Sequence, residues 1–339
     1  MTIDAPPPSN GARDADLDEL RPEIERLIQA NVASSDPDRE RRVLALSHRA
    51  GIALQEEAPE QPEFISADSE RLPEGDPLPE IPAAELVPGL IRAGILRDGC
   101  LLVRGLVDRD RALAFAEEID RAYAQRERVE AGRSGKAGFY EEFQPEPGSG
   151  EPVVRGWIKQ GGGLLAADSP RLHFEMAQMF RAARLPELVG GYLGEPALIS
   201  VHKTTLRRAE PSVPGSWHQD GFFMGPVRSL NMWLSLSHCG DVAPGLDVVP
   251  RRLDQYLATA TEEAVLDYTI SQRKVDEAAA AAGTRVVRPI FEPGDAILFD
   301  ELFLHQTGSD PAMDKPRYAI ENWFFGGSAF PSEYAPIAV

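Results

Sequence analysis

Leu230 to His238 reads LNMWLSLSH. It belongs to a series of short apolar segments that begins at Ala197: ALISVHKTTLRR (197–208), LNMWLSLSH, LDVVP (246–250), TRVVRPIF (284–291), DAILFD (295–300) and RYAIENWFF (317–325). Turns containing proline and glycine separate them. Short runs rich in β-branched and aromatic residues, punctuated in this way, are the signature of antiparallel strands, and their number predicts a β-sandwich or small barrel. One stretch with helical spacing, roughly 254–282, interrupts the series, and no internal repeat occurs.

Upstream the texture is helical. AAELVPGLIRAGILRDG (83–99) reads as a helix, CLLVRGLV (100–107) as a strand, and 108–129 as a long helix with Asp108 as its N-cap. Residues 131–165 are glycine-rich and irregular, and 169–194 is helical again. Before Ile81, Leu17, Leu20, Ile24, Leu27 and Ile28 form one helical stripe and Val43, Leu44, Leu46 and Ile52 another. Residues 58–80 are a linker rich in proline and glutamate, and 1–16 have the composition of a disordered segment. The expected organisation is therefore an acidic helical appendage and linker over 1–80, packing on the main body or on a second subunit, followed by one domain over 81–339. The fold class is mostly β with flanking α.

Composition excludes several functions. The chain of 339 residues carries a formal charge of −19, which disfavours nucleic acid and anionic membrane surfaces as partners. Residues 1–80 hold 19 acidic against 8 basic residues, so −11 of that charge belongs to the appendage. The two cysteines, Cys100 and Cys239, have no Cys-x-x-Cys spacing, which argues against a thiolate zinc site. With neither an apolar leader nor a run of apolar residues long enough to span a bilayer, the expectation is a soluble cytoplasmic protein. The two leading helices are the candidate contact for a homodimer.

The chemistry-bearing stretch is SWHQDGFF, Ser216 to Phe223. In a strand His218 and Asp220 point to the same side, and His305 follows in LFDELFLHQTG. Two imidazoles and one carboxylate can occupy one face of an octahedral ferrous ion and leave three positions open, enough for a bidentate 2-oxo acid and O2. A strand supplies two ligands cheaply, and the third must arrive from a neighbouring strand, hence the long gap. The bland alternative is a surface His/Asp pair and an unrelated core histidine, since short motifs often mislead. Arg317 weighs against it. An arginine opening a barrel strand needs an anion, and the distal carboxylate of a 2-oxo diacid fits its fork; a charged strand end in solvent is the plain reading.

The segments LRDGCLLVRGLVDRDRALAFAEEI, WHQDGFF, LNMWLSL, APGLDVVPRR and EPGDAILFDELFLHQTG, with the trailing Arg317, together resemble the phytanoyl-CoA dioxygenase family over about residues 90–330. The resemblance implies a double-stranded β-helix (a jelly-roll or cupin-like core) and an oxygenase dependent on Fe(II) and 2-oxoglutarate that uses O2. It implies His218, Asp220 and His305 as iron ligands and Arg317 as the anchor of the 2-oxoglutarate C5 carboxylate. Thr307 then assists Arg317, and Trp233 lines the 2-oxoglutarate pocket, with Asn231 on the same strand face. Lys203 and Thr205 lie on a strand that often adds a 2-oxoglutarate contact. Related halogenases lack the carboxylate; Asp220 is present, so oxygen insertion is favoured.

The expected activity is hydroxylation of an unactivated C–H bond of a small molecule, a specialised-metabolite intermediate being the leading class, with release of succinate and CO2. The alternatives are a desaturase or epimerase of the same family, or a non-catalytic ligand-binding barrel. Other histidines read blandly: His202 and His238 as sheet histidines, His173 as a helix residue near the sheet, His48 as exposed on the appendage. Arg207 and Arg208 read as a solvated strand end, the alternative being that they steer an anionic substrate, and Glu321 as a partner of Arg317 or of the substrate. Phe222, Phe223 and Met224 are read as core or pocket wall with equal weight.

Overall fold

Two helices, α1 (Leu17–Ala33) and α2 (Pro37–Glu56), open the computed structural model, which describes residues 17–213, 215–259 and 268–339. The expected disorder of 1–16 lies outside the described residues. The main body runs β1 (Glu80–Pro82), α3 (Pro88–Asp98), β2 (Cys100–Arg104), α4 (Arg109–Glu130), α5 (Gly156–Gln160), β3 (Gly163–Leu165), α6 (Pro170–Ala182), α7 (Leu185–Leu193), β4 (Leu198–Ser200) and β5 (Thr205–Ala209). It continues with α8 (Gly221–Met224), β6 (Ser229–Ser235), β7 (Gly245–Val248), α9 (Gln272–Ala281), β8 (Ala296–Phe299), β9 (His305–Gly308), β10 (Arg317–Phe325) and β11 (Pro336–Ala338).

Nine strands form one sheet in the order β1-β2-β8-β6-β10-β4-β11, with β5 also paired to β10 and β3 to β5. The other two, β7 and β9, form a separate antiparallel pair. Helical residues outnumber strand residues, so the architecture is mixed α/β rather than mostly β. The physical reason is the sheet's outer face. Leu230, Met232 and Leu234 on β6, Ile320 and Phe324 on β10, Leu298 on β8 and Leu101 and Val103 on β2 are all within 1 % of full burial and share one core with Ile91, Ile119, Phe180 and Val189 of α3, α4, α6 and α7. A face that apolar needs continuous helical cover.

The inner face carries the alternate residues. Cross-strand partners share a face. Trp323 pairs with Asn231 and Glu321 with Trp233, and these in turn pair with Phe299 and Ile297 of β8. On the other side of β10, Glu321 pairs with Thr205 and Ala319 with Arg207. Here Trp233, Ile297, Phe299 and Ala319 pack against Leu246 and Val248 of β7, so the two-stranded sheet closes over this face.

Local chemistry explains the element ends. Asp108 caps α4 by accepting from the Arg111 amide at 3.0 Å. Gly99 ends α3 with φ 78°, a left-handed conformation that favours glycine. The single helical stretch expected over 169–194 is two helices, because Arg184 takes φ 55° and Pro186, lacking an N–H, cannot continue α6. The helical stretch expected over 254–282 is confined to Gln272–Ala281; residues 260–267 lie outside the described residues.

The expectation for His48 is wrong. It is 1 % exposed, bonds the Pro336 carbonyl through Nδ1 at 2.6 Å, and accepts from the Glu146 amide through Nε2 at 3.0 Å. Packing of α2 against β11 and α6 encloses it, and Gly51 of α2 meets Pro336 so closely that an added Cβ would lie 2.9 Å from its carbonyl carbon. Arg171 of α6 also pairs with the buried Glu40 of α2. The leading helices thus rest on the main body. No helix among the described residues is long and apolar enough to cross a membrane.

Candidate metal centre

The HQD segment is pinned where β9 begins. His218 and His305 face each other across a two-residue antiparallel bridge, His218 N–H donating to the His305 carbonyl at 3.0 Å and His305 N–H to that of His218 at 3.2 Å. Between the two ligand candidates of that segment, the Gln219 side chain donates to the carbonyls of Gln255 and Leu302 and accepts from the Leu257 amide. Gly221 follows because Tyr256 packs against it, 2.2 Å from where a Cβ would stand. These contacts carry residues distant in sequence to one point.

There, one ligand atom each from His218, Asp220 and His305 lies within 4.8 Å of the others. His218 Nε2 is 3.6 Å from Asp220 Oδ1, and the imidazole centroids of His218 and His305 are 4.4 Å apart. Both rings use Nδ1 on a backbone carbonyl, His218 on Ser216 at 2.6 Å and His305 on Phe303 at 3.0 Å. A carbonyl accepts only, so Nδ1 carries the proton and each Nε2 presents a lone pair inward. Burial, with the neighbouring His305, pushes the His218 imidazole down to about 4, which keeps it neutral, the form that ligates.

Asn231 occupies a role that sequence reasoning did not give it. Its amide nitrogen donates to Asp220 Oδ2 at 2.5 Å and orients the carboxylate, while its own Oδ1 is buried without a partner. Trp233 stands next to it on the inner face, its Nε1 also buried and unpartnered.

Arg317 is 2 % exposed and lies 5.3 Å from the Trp233 ring centroid. Among the described residues its one side-chain hydrogen bond runs from Nη1 to the Gly245 carbonyl at 3.2 Å, and Nε has no partner. A buried guanidinium with orphaned donors awaits an anion. Thr307 is half-buried, shares the strand face of His305 and pairs with Leu246 of β7.

Two expectations for the inner face need correction. Arg207 is no solvated strand end: its side chain is 14 % exposed and its Nε donates to Glu321 at 2.8 Å. The reason is parity, since Arg207 shares the face of Thr205 whereas Arg208 points out to Asp120 and Glu210. Glu321 therefore pairs with Arg207 rather than Arg317, and it accepts from Thr205 Oγ1 at 3.1 Å. Burial raises the Glu321 carboxyl, but Arg207 and Arg317 together hold it below its ordinary range. Glu321 keeps 30 % side-chain exposure although it lies in a central strand, so the inner face lines open space.

Lys203 sits in that space. Its Nζ lies 4.7 Å from the ring centroid of Trp157, 4.8 Å from Trp323, 5.1 Å from Phe223 and 5.6 Å from Tyr334. Burial lowers the ammonium to about 8 against the pull of Asp220. Phe223 also edges the His218 ring at 5.8 Å, whereas Met224 is core and Phe222 is half-exposed. Trp323 was findable, since it shares the parity of Arg317 and Glu321; Tyr334 carried no signal. Of the remaining histidines, His202 stacks on Tyr334, the half-buried His238 joins Asp241 and Glu292, and His173 is 4 % exposed.

Residues 95–311, well over half of the chain, match the model of the family described as phytanoyl-CoA dioxygenase (PhyH). Among solved structures, EctD from S. alaskensis with 2-oxoglutarate and 5-hydroxyectoine aligns at 18% identity over 78% of this chain and 83% of that one, with TM-score 0.50. The same protein with bound Fe aligns at 20% identity over 75% and 88%, with TM-score 0.51. At these identities the likeness is one of fold. Among curated proteins, none matches significantly.

Proposed function

The chain belongs to the phytanoyl-CoA dioxygenase (PhyH) family, and from that premise we propose that it is an Fe(II)- and 2-oxoglutarate-dependent oxygenase that hydroxylates an unactivated C–H bond of a small molecule. We read the nine-stranded sheet and the facing β7–β9 pair as a double-stranded β-helix. His218, Asp220 and His305 hold the iron. Arg317 binds the distal carboxylate of 2-oxoglutarate, with Thr307 beside it and Trp233 as the pocket wall.

One observation carries this reading. Three ligand atoms converge within 4.8 Å with both Nε2 lone pairs free, and a buried arginine with an orphaned Nε stands on the same inner face. The donor set suits ferrous iron, since two neutral imidazoles and a carboxylate leave a net positive centre with open positions. The orphaned Arg317 Nε and Trp233 Nε1 suit an anionic co-substrate that accepts from both.

When bound, iron supplies activation of O2 coupled to oxidative decarboxylation of 2-oxoglutarate, yielding succinate and CO2 with one oxygen atom delivered to the substrate. The protein's residues position and exclude. The Ser216 and Phe303 carbonyls hold the two histidine tautomers, Asn231 fixes the Asp220 carboxylate, and Arg317 sets how deeply the co-substrate sits. Phe223, at the edge of His218, and the buried aromatics Phe299 and Phe303 around His305 keep water from the reacting centre.

Anaerobic addition of Fe(II) and then 2-oxoglutarate tests the reading. A weak visible charge-transfer band should develop in the wild type and not in His218→Ala or Arg317→Met; a colourless wild type would sink the proposal. Product mass then reports the outcome, a gain of one oxygen for hydroxylation against a loss of two hydrogens for desaturation or no change for epimerisation.

A further inference from the structure

Lys203 presents an ammonium with three N–H donors to four aromatic rings and to no oxygen. Among the described residues nothing forms an ion pair or a side-chain hydrogen bond with it. Ring faces attract a cation within about 6 Å, but they accept none of its hydrogen bonds. Asp220, Glu321 and Glu333 attract the ammonium through space but bond none of its donors, and a largely desolvated ammonium with unmet hydrogen bonds is unfavourable, so an entering anion would complete the box.

Placement separates this cation from the one already assigned. Arg317 opens β10, whereas Trp323, one wall of the box, stands six residues further along the same inner face, roughly 20 Å at about 3.4 Å per residue. Another wall, Phe223, also edges His218, so the box adjoins the candidate metal centre. Tyr334 is held in place by donating its hydroxyl to the Phe223 carbonyl at 3.0 Å. Trp157, on α5, is 41 % exposed and forms the side open to solvent. Glu321, the nearest inward carboxylate on β10, is already engaged by Arg207 and Thr205.

Resting on the oxygenase reading of this site, we infer that Lys203 is the substrate's anion receptor: the substrate is a small molecule with a carboxylate or phosphate that bonds the Lys203 ammonium, and an apolar body that lies between Trp157, Trp323 and Tyr334 and extends past Phe223 toward His218. This moves Lys203 from the co-substrate to the substrate. The aromatic walls select an apolar or planar body.

The test is calorimetric titration of the protein loaded anaerobically with Fe(II) and 2-oxoglutarate. Four probes share one ring: phenylacetate, phenyl phosphate, neutral phenylacetamide and cationic phenethylammonium. Wild type should bind at least one of the two anions about tenfold or more tightly than the amide, as gain of a charge-assisted hydrogen bond implies. Which anion wins distinguishes carboxylate from phosphate. Lys203→Met should abolish that preference, Lys203→Arg should retain it, and both should bind 2-oxoglutarate within about twofold of wild type.

The inference falls if the preference survives in Lys203→Met, if neither anion outbinds the amide, or if phenethylammonium binds best, which would make the box a cation site. It also falls if Lys203→Met loses 2-oxoglutarate as Arg317→Met does, because Lys203 would then serve the co-substrate while the oxygenase reading stood. Conversely, a wild type that takes up no 2-oxoglutarate yet shows a Lys203-dependent anion preference refutes the oxygenase reading alone.

Discussion

The two faces of the nine-stranded sheet are built from the same strands and differ in almost everything else. On β6, Leu230, Met232 and Leu234 point out to the helices while Asn231 and Trp233 point in. On β10, Ile320 and Phe324 point out while Arg317, Glu321 and Trp323 point in. The outer face is closed and apolar but for Asn322, whose Oδ1 accepts from Thr204. The inner face keeps Arg317 Nε, Trp233 Nε1 and Asn231 Oδ1 buried without partners. Apolar packing is concentrated on one side; unpartnered polar atoms occur on both, but the orphaned guanidinium, Arg317, is on the inner one.

The comparison breaks most visibly at the proposed metal ligands. His218→Ala or His305→Ala should reduce succinate formation to background and abolish Fe(II) binding, while thermal unfolding followed by circular dichroism stays cooperative. Arg317→Met comes next. Removing one partner of a buried charge pair costs about 2–5 kcal/mol, so affinity for 2-oxoglutarate should fall by roughly 30-fold or more. In the ligand-free protein the same change removes a buried unpaired charge, and the melting temperature should hold or rise.

Leu234→Ala on the outer face should do the reverse. It should lower unfolding free energy by about 2–5 kcal/mol, measured by urea titration, and leave 2-oxoglutarate affinity untouched.

His173, buried among the outer helices, sharpens the contrast through pH. Burial pushes its imidazole down to about 4 from 6.5, so the folded state keeps it neutral where the unfolded chain takes up a proton. Its contribution is therefore unchanged above about pH 6.5 and erodes as pH falls toward 4, by about 3 kcal/mol at most. His173→Leu should flatten that part of the stability–pH curve, compared by denaturant midpoints at pH 7 and pH 4.5. The smallest effect is expected at Asn231→Ala, which frees Asp220 to rotate and should weaken Fe(II) binding about 10- to 100-fold, read by competition with a chelator.

Much of the site was legible because its logic is local. His218 and Asp220 are two residues apart, although Asp220 stands in helical backbone at the N-cap of α8 rather than in the expected strand, and alternation along β10 puts Arg317 and Glu321 on one face. The errors have a common cause. His48 was read as exposed and Arg207 as solvated because each is polar and sits among charges. Burial of a polar side chain depends on what another element brings to it: the Pro336 carbonyl 288 residues away for His48, and Glu321 of β10 for Arg207.

Sequence alone determined the alternation of the strands, the capped ends of α4 and α3, and the identity of three ligand-type residues and an arginine, because period-two side-chain direction and backbone preference act within a few residues. Tertiary structure alone decided that His218 stands opposite His305, that Asn231 meets Asp220, and that four rings drawn from α5, α8, β10 and the segment before β11 surround Lys203. Those pairings join residues as many as 131 positions apart, Lys203 to Tyr334, and such contacts form only when the whole sheet closes and buries its outer face.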